Sequence, residues 1–197
     1  HAAEDTTANV LIAGDYTFEV VVRDSAGLSV TSSVDVIVQQ TAASVVVAPA
    51  SVSVAYGGTL GFAASVLAQF DDPLDSQPAI TWSTSGGGAI DAAGVFTATT
   101  VGGPFTVTAA DGVLTGNATI SIIKADAAVS LSNLSQVYDG GPRPVTATTS
   151  PPGLPVTITY NGSAPVPSAF GSYAVVATID SPNYQGGASG TLTITGQ

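Results

Sequence analysis

Apolar and polar residues alternate along most of the chain, with the two-residue period of half-buried β-strands. The first clear run places four apolar side chains on one face: Tyr16, Phe18, Val20 and Val22. A second run, at 28–38, alternates in the same way, and turn-forming residues at 24–27 separate the two runs. The pattern predicts a β-hairpin with a four-residue connection, and no stretch has the period of an α-helix.

The alternation stops at 39–43 and again at 124–126, and both stretches are interpreted as short linkers. Seven short strands are predicted between them, at 44–47, 51–55, 59–70, 79–83, 95–97, 105–109 and 117–123. Five more are predicted after the second linker, at 128–131, 145–149, 156–160, 171–179 and 190–195. Strands of this number and spacing are typical of immunoglobulin-like sandwiches. The predicted fold class is therefore all-β, with tandem immunoglobulin-like β-sandwich modules at 44–123, the middle module, and at 127–197, the third module.

Residues 1–40 contain too few strands for a sandwich of their own. They supply three strands at most, at 6–12, 15–23 and 28–39, whereas an immunoglobulin-like sandwich needs about seven. Three strands cannot hide the apolar side chains of these runs and would leave an unpaired edge. We therefore predict that 1–40 are the C-terminal strands of an incomplete sandwich. An upstream polypeptide or a neighbouring subunit that donates strands would complete it, and a longer polypeptide is favoured because it requires no special assembly.

The negative net charge of the chain argues against some classes of binding partner. Only 9% of the residues are charged and the net charge is −11, which predicts that the chain binds neither nucleic acid nor anionic membrane surfaces. The sequence has no cysteine, which excludes disulfides and thiolate chemistry. No apolar run approaches the length of a membrane span, so membrane insertion is not expected.

Few residues are candidates for chemistry, and no catalytic or cofactor-binding residue is predicted. The single histidine, His1, is terminal, which argues against a histidine-based triad or zinc site. The densest acidic cluster, Asp71, Asp72 and Asp75, is a weak calcium candidate, with a solvated turn as the alternative. Trp82 lies in a predicted strand and is expected in a sandwich core rather than on a sugar-binding surface.

Three stretches resemble known families. The middle module resembles bacterial immunoglobulin-like domains of group 2 through Ile80-Thr81-Trp82-Ser83 and the Asp91-Ala92-Ala93-Gly94-Val95-Phe96-Thr97-Ala98 corner, and this resemblance implies a core Trp and a core aromatic after the turn. The third module resembles the mostly bacterial immunoglobulin-like domain called MBG through Tyr138-Asp139-Gly140, 156–163, Gly171-Ser172-Tyr173 and Asn183-Tyr184. Residues 1–40 resemble the end of a PKD-type or cadherin-like domain through 5–8, Gly14-Asp15-Tyr16-Thr17-Phe18 and Val22-Arg23-Asp24.

The resemblances imply an extracellular spacer, adhesion or carbohydrate-contact role. We expect a non-catalytic structural or adhesive module array, a spacer or stalk that belongs to a larger surface protein or fibre. The alternative is an ancillary carbohydrate-binding or positioning region of a secreted multidomain enzyme. Expected partners are polysaccharide or a cell-surface protein, and the expected location is extracellular, secreted or at the cell surface. The fold alone does not decide between these roles.

Overall fold

The computed structural model describes residues 7–196, and it is all-β over this range. The described residues form two compact units. The first contains residues 7–50, Phe62–Ser83 and Thr108–Ala118, and the second contains Ser51–Gly61, Thr84–Val107 and residues 119–196. The middle module therefore contributes residues to both units, whereas the third module lies within the second unit.

The amino-terminal hairpin consists of β1 (Gly14–Arg23) and β2 (Ser29–Val38). The strands pair antiparallel without interruption from Gly14 opposite Val38 to Arg23 opposite Ser29. Asp24 closes the turn, because its Oδ1 accepts hydrogen bonds from the backbone N–H groups of Ala26 and Leu28, each at 2.9 Å. The predicted hairpin is confirmed. The predicted strand at 6–12 is wrong over 7–12, which pair with no strand, and residue 6 lies outside the described residues.

Nine strands span the middle module: β3 (Ala42–Ala48), β4 (Ser51–Ala55), β5 (Thr59–Gly61), β6 (Ala63–Ala68), β7 (Thr81–Thr84), β8 (Gly88–Ile90), β9 (Val95–Ala98), β10 (Gly102–Ala110) and β11 (Thr115–Ile123). They form a four-stranded sheet in the order β4-β11-β10-β7, a pair β3-β6 and a three-stranded sheet β5-β9-β8. The single strand predicted at 59–70 is two strands, because β5 pairs with β9 while β6 pairs with β3, and buried Phe62 lies between them.

Gly88 ends a run of three glycines, Gly86-Gly87-Gly88, and begins β8. A Cβ atom on Gly88 would lie 2.0 Å from the carbonyl oxygen of Thr97. The antiparallel pairing of β8 with β9 therefore depends on the absence of a side chain at this position. Glycine at this position allows the backbones of the two strands to approach closely.

Eight strands span the third module and the linker before it: β12 (Ala125–Asp126), β13 (Ala128–Ser132), β14 (Ser135–Val137), β15 (Thr146–Ser150), β16 (Val156–Tyr160), β17 (Gly171–Ile179), β18 (Tyr184–Gln185) and β19 (Gly187–Thr195). They form a four-stranded sheet in the order β14-β19-β17-β16 and the pairs β13-β15 and β12-β18. The alternating burial of β17 and β19 is that of strands with one face in a core.

The core of the third module contains five buried side chains, Val145, Tyr160, Val175, Leu192 and Ile194. Half-buried Leu131 from β13 and Ile158 from β16 pack against them, so the core lies between the two sheets of a sandwich. Tyr160 is the buried tyrosine, and its hydroxyl accepts a hydrogen bond from the backbone N–H of Val145 at 3.0 Å. Tyr173 is half-buried and packs against this cluster.

One sheet plan recurs along the chain. In the middle module β4 lies parallel to β11, and in the third module β14 lies parallel to β19. In each four-stranded sheet the last strand of the module also pairs with the preceding long strand, β10 or β17. A glycine with positive φ stands two residues before an aromatic residue at the start of β1, β10 and β17: Gly14 and Tyr16, Gly103 and Phe105, Gly171 and Tyr173.

The tyrosines of this motif make the same hydrogen bond. The hydroxyl of Tyr16 donates to the carbonyl oxygen of Ile12 at 2.7 Å, and that of Tyr173 donates to the carbonyl oxygen of Ala169 at 3.0 Å. A tyrosine that bonds back to the backbone upstream is the corner found before the penultimate strand of immunoglobulin-like sandwiches. By position, β1 and β2 therefore correspond to β17 and β19, the last two long strands of the third module.

Candidate functional site

No metal-binding cluster is formed within residues 7–196, where no three His, Cys, Asp or Glu side chains converge. Asp71, Asp72 and Asp75 are exposed on the loop that follows β6. The backbone of this loop is ordered by hydrogen bonds, since Ala68 N–H donates to the carbonyl oxygen of Asp72 at 2.7 Å and Asp71 has a φ of 66°. His1 lies outside the described residues.

Calcium binding at this loop stays a prediction, and a thermal titration tests it. A site with the affinity of extracellular calcium modules would stabilise the folded chain by about 1–3 kcal/mol at about 10 mM Ca²⁺ and raise the melting temperature. The increase should disappear in Asp72→Asn and should not occur with Mg²⁺ at equal ionic strength. An unchanged melting temperature in the parent chain would remove calcium from this loop.

The loop that contains the acidic cluster contacts the first linker through amide side chains. The Gln69 side chain accepts a hydrogen bond from the backbone N–H of Thr41 and donates one to the carbonyl oxygen of Gln39, both at 2.7 Å. The Gln69 backbone N–H also donates to the carbonyl oxygen of Thr41 at 3.1 Å. Gln40 reaches the other end of the loop, where its Oε1 accepts from the Asp75 N–H at 2.8 Å. All these residues lie in the first unit, and we name this set junction 1.

Gln77 holds the loop itself in place. Its Oε1 accepts from the Val66 N–H at 2.7 Å, and its Nε2 donates to the carbonyl oxygens of Val66 and Leu74 at 3.0 and 2.9 Å. An amide side chain that both donates and accepts substitutes for a strand neighbour here. The loop is therefore fixed to β6 by Gln77 and to the linker by Gln69.

Substitution of Gln69 tests junction 1. Gln69→Ala removes two side-chain hydrogen bonds, each worth about 0.5–1.5 kcal/mol net, so the junction is expected to open roughly tenfold more often. The measurement is hydrogen exchange of the backbone amide at position 69, which still has the Thr41 carbonyl as its acceptor. Gln69→Glu, which keeps the acceptor and loses the donor, is expected to give an intermediate rate. Equal exchange in all three chains would contradict the assigned role.

The second linker is hydrogen-bonded to the third module. Ala125 pairs with Tyr184 and Asp126 with Gln185 in the parallel pair β12-β18. The Ala125 N–H donates to the carbonyl oxygen of Asn183 at 2.9 Å, and the Gln185 side chain donates to Asp126 Oδ1 at 2.9 Å. A stretch interpreted as a simple linker is thus a short strand. These residues and those below lie in the second unit, and we name the set junction 2.

One side chain of the middle module, Tyr56, and one of the linker, Lys124, also contact the third module. The Tyr56 ring, which follows β4, meets the Tyr184 ring edge-on with centroids 5.4 Å apart and an interplanar angle of 74°. Lys124 Nζ donates to the carbonyl oxygen of Ser181 at 2.7 Å. Gly186 permits the close approach, because a Cβ atom there would lie 2.0 Å from the carbonyl oxygen of Ala127. Junction 2 therefore combines an aromatic contact, a strand pair and a glycine contact.

The remaining aromatic candidates are arranged for packing. Trp82 is half-buried, and its ring lies 6.4 Å from that of Phe62, which is buried. Phe96 is fully buried, as the resemblance implied for the aromatic after the Asp91 turn. Asp91 Oδ1 accepts from the N–H groups of Ala93 and Val95, each at 2.9 Å, the geometry that Asp24 has in the hairpin turn. Within residues 7–196 there is also no apolar helix of the length needed to cross a bilayer.

Sequence reasoning missed Gln69, Tyr56 and Tyr184 as junction residues. A signal for Tyr56 is present, because Tyr56-Gly57-Gly58 resembles Tyr138-Asp139-Gly140-Gly141 at the same place in the strand order. Gln69 contacts the first linker and Gln77 fixes the adjacent loop, but an isolated glutamine carries no sequence pattern that predicts its partner.

The chain resembles several solved structures of multidomain proteins. The S-layer protein rSbsC(31-844) is 15% identical and covers 98% of this chain and 37% of its own, with a TM-score of 0.41. The Yersinia pseudotuberculosis adhesin InvE is 12% identical, covers 76% and 58%, and has a TM-score of 0.33. The N-terminal four Ig domains of Dscam1 isoform 8.4 are 14% identical, cover 87% and 52%, and have a TM-score of 0.40. The chain thus spans less than two thirds of each structure.

Sequence comparison gives a family for one part of the chain. No curated protein matches the chain. Residues 127–197 match the family described as MBG domain. The match covers the third module, where the Tyr-Asp-Gly and Gly-Ser-Tyr motifs and the two-sheet core lie. Over residues 127–197, the third module, the chain is therefore similar to the MBG domain family that the sequence motifs indicated.

Proposed function

We propose that this chain is a non-catalytic extracellular stalk or spacer, an array of immunoglobulin-like modules connected by hydrogen-bonded junctions. The observation that supports the proposal is that both linkers are hydrogen-bonded to a neighbouring module. The first is bonded to Gln69 and, through the Gln40 side chain, to Asp75, and the second forms a strand pair beside the Tyr56–Tyr184 contact. A linker with fixed hydrogen bonds limits the freedom between consecutive modules, as a spacer of defined length requires.

The chemistry of the described residues supports a structural role. The core of the third module is formed by apolar side chains and Tyr160, whose hydroxyl bonds to the backbone. Trp82 packs against Phe62, and Phe170, 64% exposed, pairs with Tyr138. These aromatic residues do not form the exposed row that the carbohydrate-binding alternative calls for. The acidic surface favours solubility over adhesion to phosphate-bearing polymers.

Distance measurement between spin labels tests the stalk. The sequence has no cysteine, so Thr100→Cys and Thr157→Cys, both exposed, place one label in the middle module and one in the third. A narrow distance distribution is expected from double electron–electron resonance in frozen solution. The Tyr184→Ala variant, which loses the contact with Tyr56, is expected to broaden it. A distribution already as broad as that of a flexible linker in the parent chain would refute the proposal.

The amino-terminal hairpin belongs to the same array, and we propose that strands from outside residues 7–196 cover its apolar face. This face contains Tyr16, Phe18, Val20, Val22, Val30, Val34 and Val36, and Val20, Val22 and Val30 are 60–72% exposed. The corresponding Val175, Ala177, Leu192 and Ile194 of β17 and β19 are buried beneath the second sheet of the third module. The occupant favoured is a longer polypeptide of the same pattern.

The edges of the hairpin define how the missing strands pair. In the third module β17 has an antiparallel neighbour, β16, and β19 has a parallel one, β14. The free edge of β1 is therefore expected to take an antiparallel strand and that of β2 a parallel strand. Main-chain hydrogen bonds along both edges would provide the affinity.

Dye binding and sedimentation of this chain test the origin of the strands. An open face binds a hydrophobic dye, and Val20→Thr with Val34→Thr is expected to abolish this binding in a monomeric chain. A concentration-dependent dimer that the same substitutions dissociate would assign the strands to a neighbouring subunit. If the chain neither binds dye nor associates, the face is covered within the chain and the proposal is wrong.

A further inference from the structure

Junction 2 shows how one module ends against the next. Tyr56 stands directly after β4, and its backbone N–H donates to the carbonyl oxygen of Ile123, the last residue of β11, at 2.9 Å. Its side chain therefore lies where the middle module ends. The Tyr184 ring of the third module contacts it edge-on.

Tyr138 occupies the same position in the third module. It stands directly after β14, and its N–H donates to the carbonyl oxygen of Thr195, the last residue of β19, at 2.9 Å. The strands before the two tyrosines make equivalent parallel pairs, Ser51–Ala55 with β11 and Ser135–Val137 with β19. Glycine pairs follow both tyrosines, at 57–58 and at 140–141. Tyr138 is thus the counterpart of Tyr56 at the end of the third module.

The surface around Tyr138 has the composition of an interface. The Phe170 ring meets Tyr138 edge-on at 5.1 Å with an interplanar angle of 71°, and Phe170 is 64% exposed. Val137 next to it is 53% exposed. Asp139, the residue after Tyr138, forms an ion pair with Arg143 at 2.6 Å. An apolar centre with aromatic residues and a charged rim is the arrangement of protein interfaces.

We propose that Tyr138 and Phe170, named here the aromatic pole, dock the amino-terminal end of a further immunoglobulin-like module. The inference rests on the proposed function. The docking module contributes an aromatic ring from the loop that corresponds to 181–186, as Tyr184 does against Tyr56. Phe170 widens this contact, because the equivalent position in the middle module is Gly102, the first residue of β10. Only the Phe170 ring of the aromatic pole is exposed, and this surface is too small to bind a polysaccharide chain. The repetition of the Tyr56 arrangement at Tyr138 indicates an immunoglobulin-like module as the partner.

An extended chain tests the aromatic pole. Residues 126–197 are appended directly after Gln197, so that four residues separate the end of β19 from the first residue of the added β13, as four separate Ile123 from Ala128. Labels at Thr157→Cys in the third module and in its added copy report the new junction. The Thr100 and Thr157 labels report junction 2 in a parallel sample. The new distribution is expected to be as narrow as that of junction 2.

Two variants of the extended chain identify the residues responsible. Phe170→Ala is expected to broaden the distribution at least twofold, and Val176→Ala, an exposed apolar residue on β17, is the matched control and should leave it unchanged. If the parent extended chain gives a broad distribution at the new junction and a narrow one at junction 2, the inference is overturned and the proposed function is not. A broad distribution at both junctions would refute the proposed function. A narrower distribution in Phe170→Ala would show that Phe170 caps Tyr138 and excludes a module, which also overturns the inference.

Discussion

Phe96→Ala is expected to destabilise the chain by about 3–5 kcal/mol, because it leaves a cavity where a fully buried ring stands between Gly88 and the rest of the core. This loss approaches the whole stability of a small domain. Urea denaturation followed by Trp82 fluorescence and by far-ultraviolet circular dichroism measures it, since Trp82 is the single tryptophan and reports the middle module, whereas circular dichroism also reports the third module.

Phe170→Ala is the matched control for Phe96→Ala. The same atoms are removed from a side chain that is 64% exposed, and we expect a loss of at most about 1 kcal/mol, mainly from its edge-on contact with Tyr138. Phe96→Leu is expected to fall between them, at about 1–2 kcal/mol, because it retains most of the apolar volume. Comparable losses for Phe96→Ala and Phe170→Ala would contradict the placement of the middle module's core.

Gly186→Ala is expected to disrupt junction 2. The added Cβ atom would lie 2.0 Å from the carbonyl oxygen of Ala127, and the φ of 149° disfavours any side chain. Overpacking of this kind costs about 1–3 kcal/mol, and the backbone conformation adds about 1 kcal/mol. The β12-β18 pair relieves the overlap by separating, so the distance distribution between labels at Thr100 and Thr157 should broaden.

Gly153→Ala separates the energetic cost of backbone strain from that of steric overlap. Gly153 also has a positive φ, 82°, but a Cβ atom added there would meet no other atom within 4 Å, so this variant carries the backbone cost alone. We expect a loss of about 1 kcal/mol with the label distribution unchanged. If Gly186→Ala leaves the distribution as narrow as Gly153→Ala does, the strand pair does not hold the junction.

The sequence predicted the long strands well because each one faces a core on one side. β17 was predicted with its observed bounds, and its period-two burial follows directly from Val175, Ala177 and Ile179. The short strands were missed for a physical reason. β12 and β18 have two residues each, too few to show a period, and they exist because backbone groups of the linker find partners on a distant loop.

The junctions were the least predictable part of the candidate site. Their contacts join residues far apart in sequence, such as Gln39 with Gln69 and Tyr56 with Tyr184, and neither side chain of a pair is apolar enough to predict burial. The acidic cluster was predicted as a candidate site because charged residues can be recognised without knowledge of the fold. The residues that bind the linker and fix the loop are neutral amides on either side of that cluster, Gln69 and Gln77.

The parallel pairing of β4 with β11 has a mechanical consequence. β4 lies near the start of the middle module and β11 at its end, and the two strands pair over five residues from Ser51 opposite Thr119 to Ala55 opposite Ile123. Tension along the polypeptide pulls parallel strands past each other, so all the hydrogen bonds between them carry the load together. An antiparallel hairpin pulled at its two ends opens one bond at a time. Modules of this kind would therefore resist stretching in shear, with the unfolding rate under force rather than equilibrium stability setting the limit.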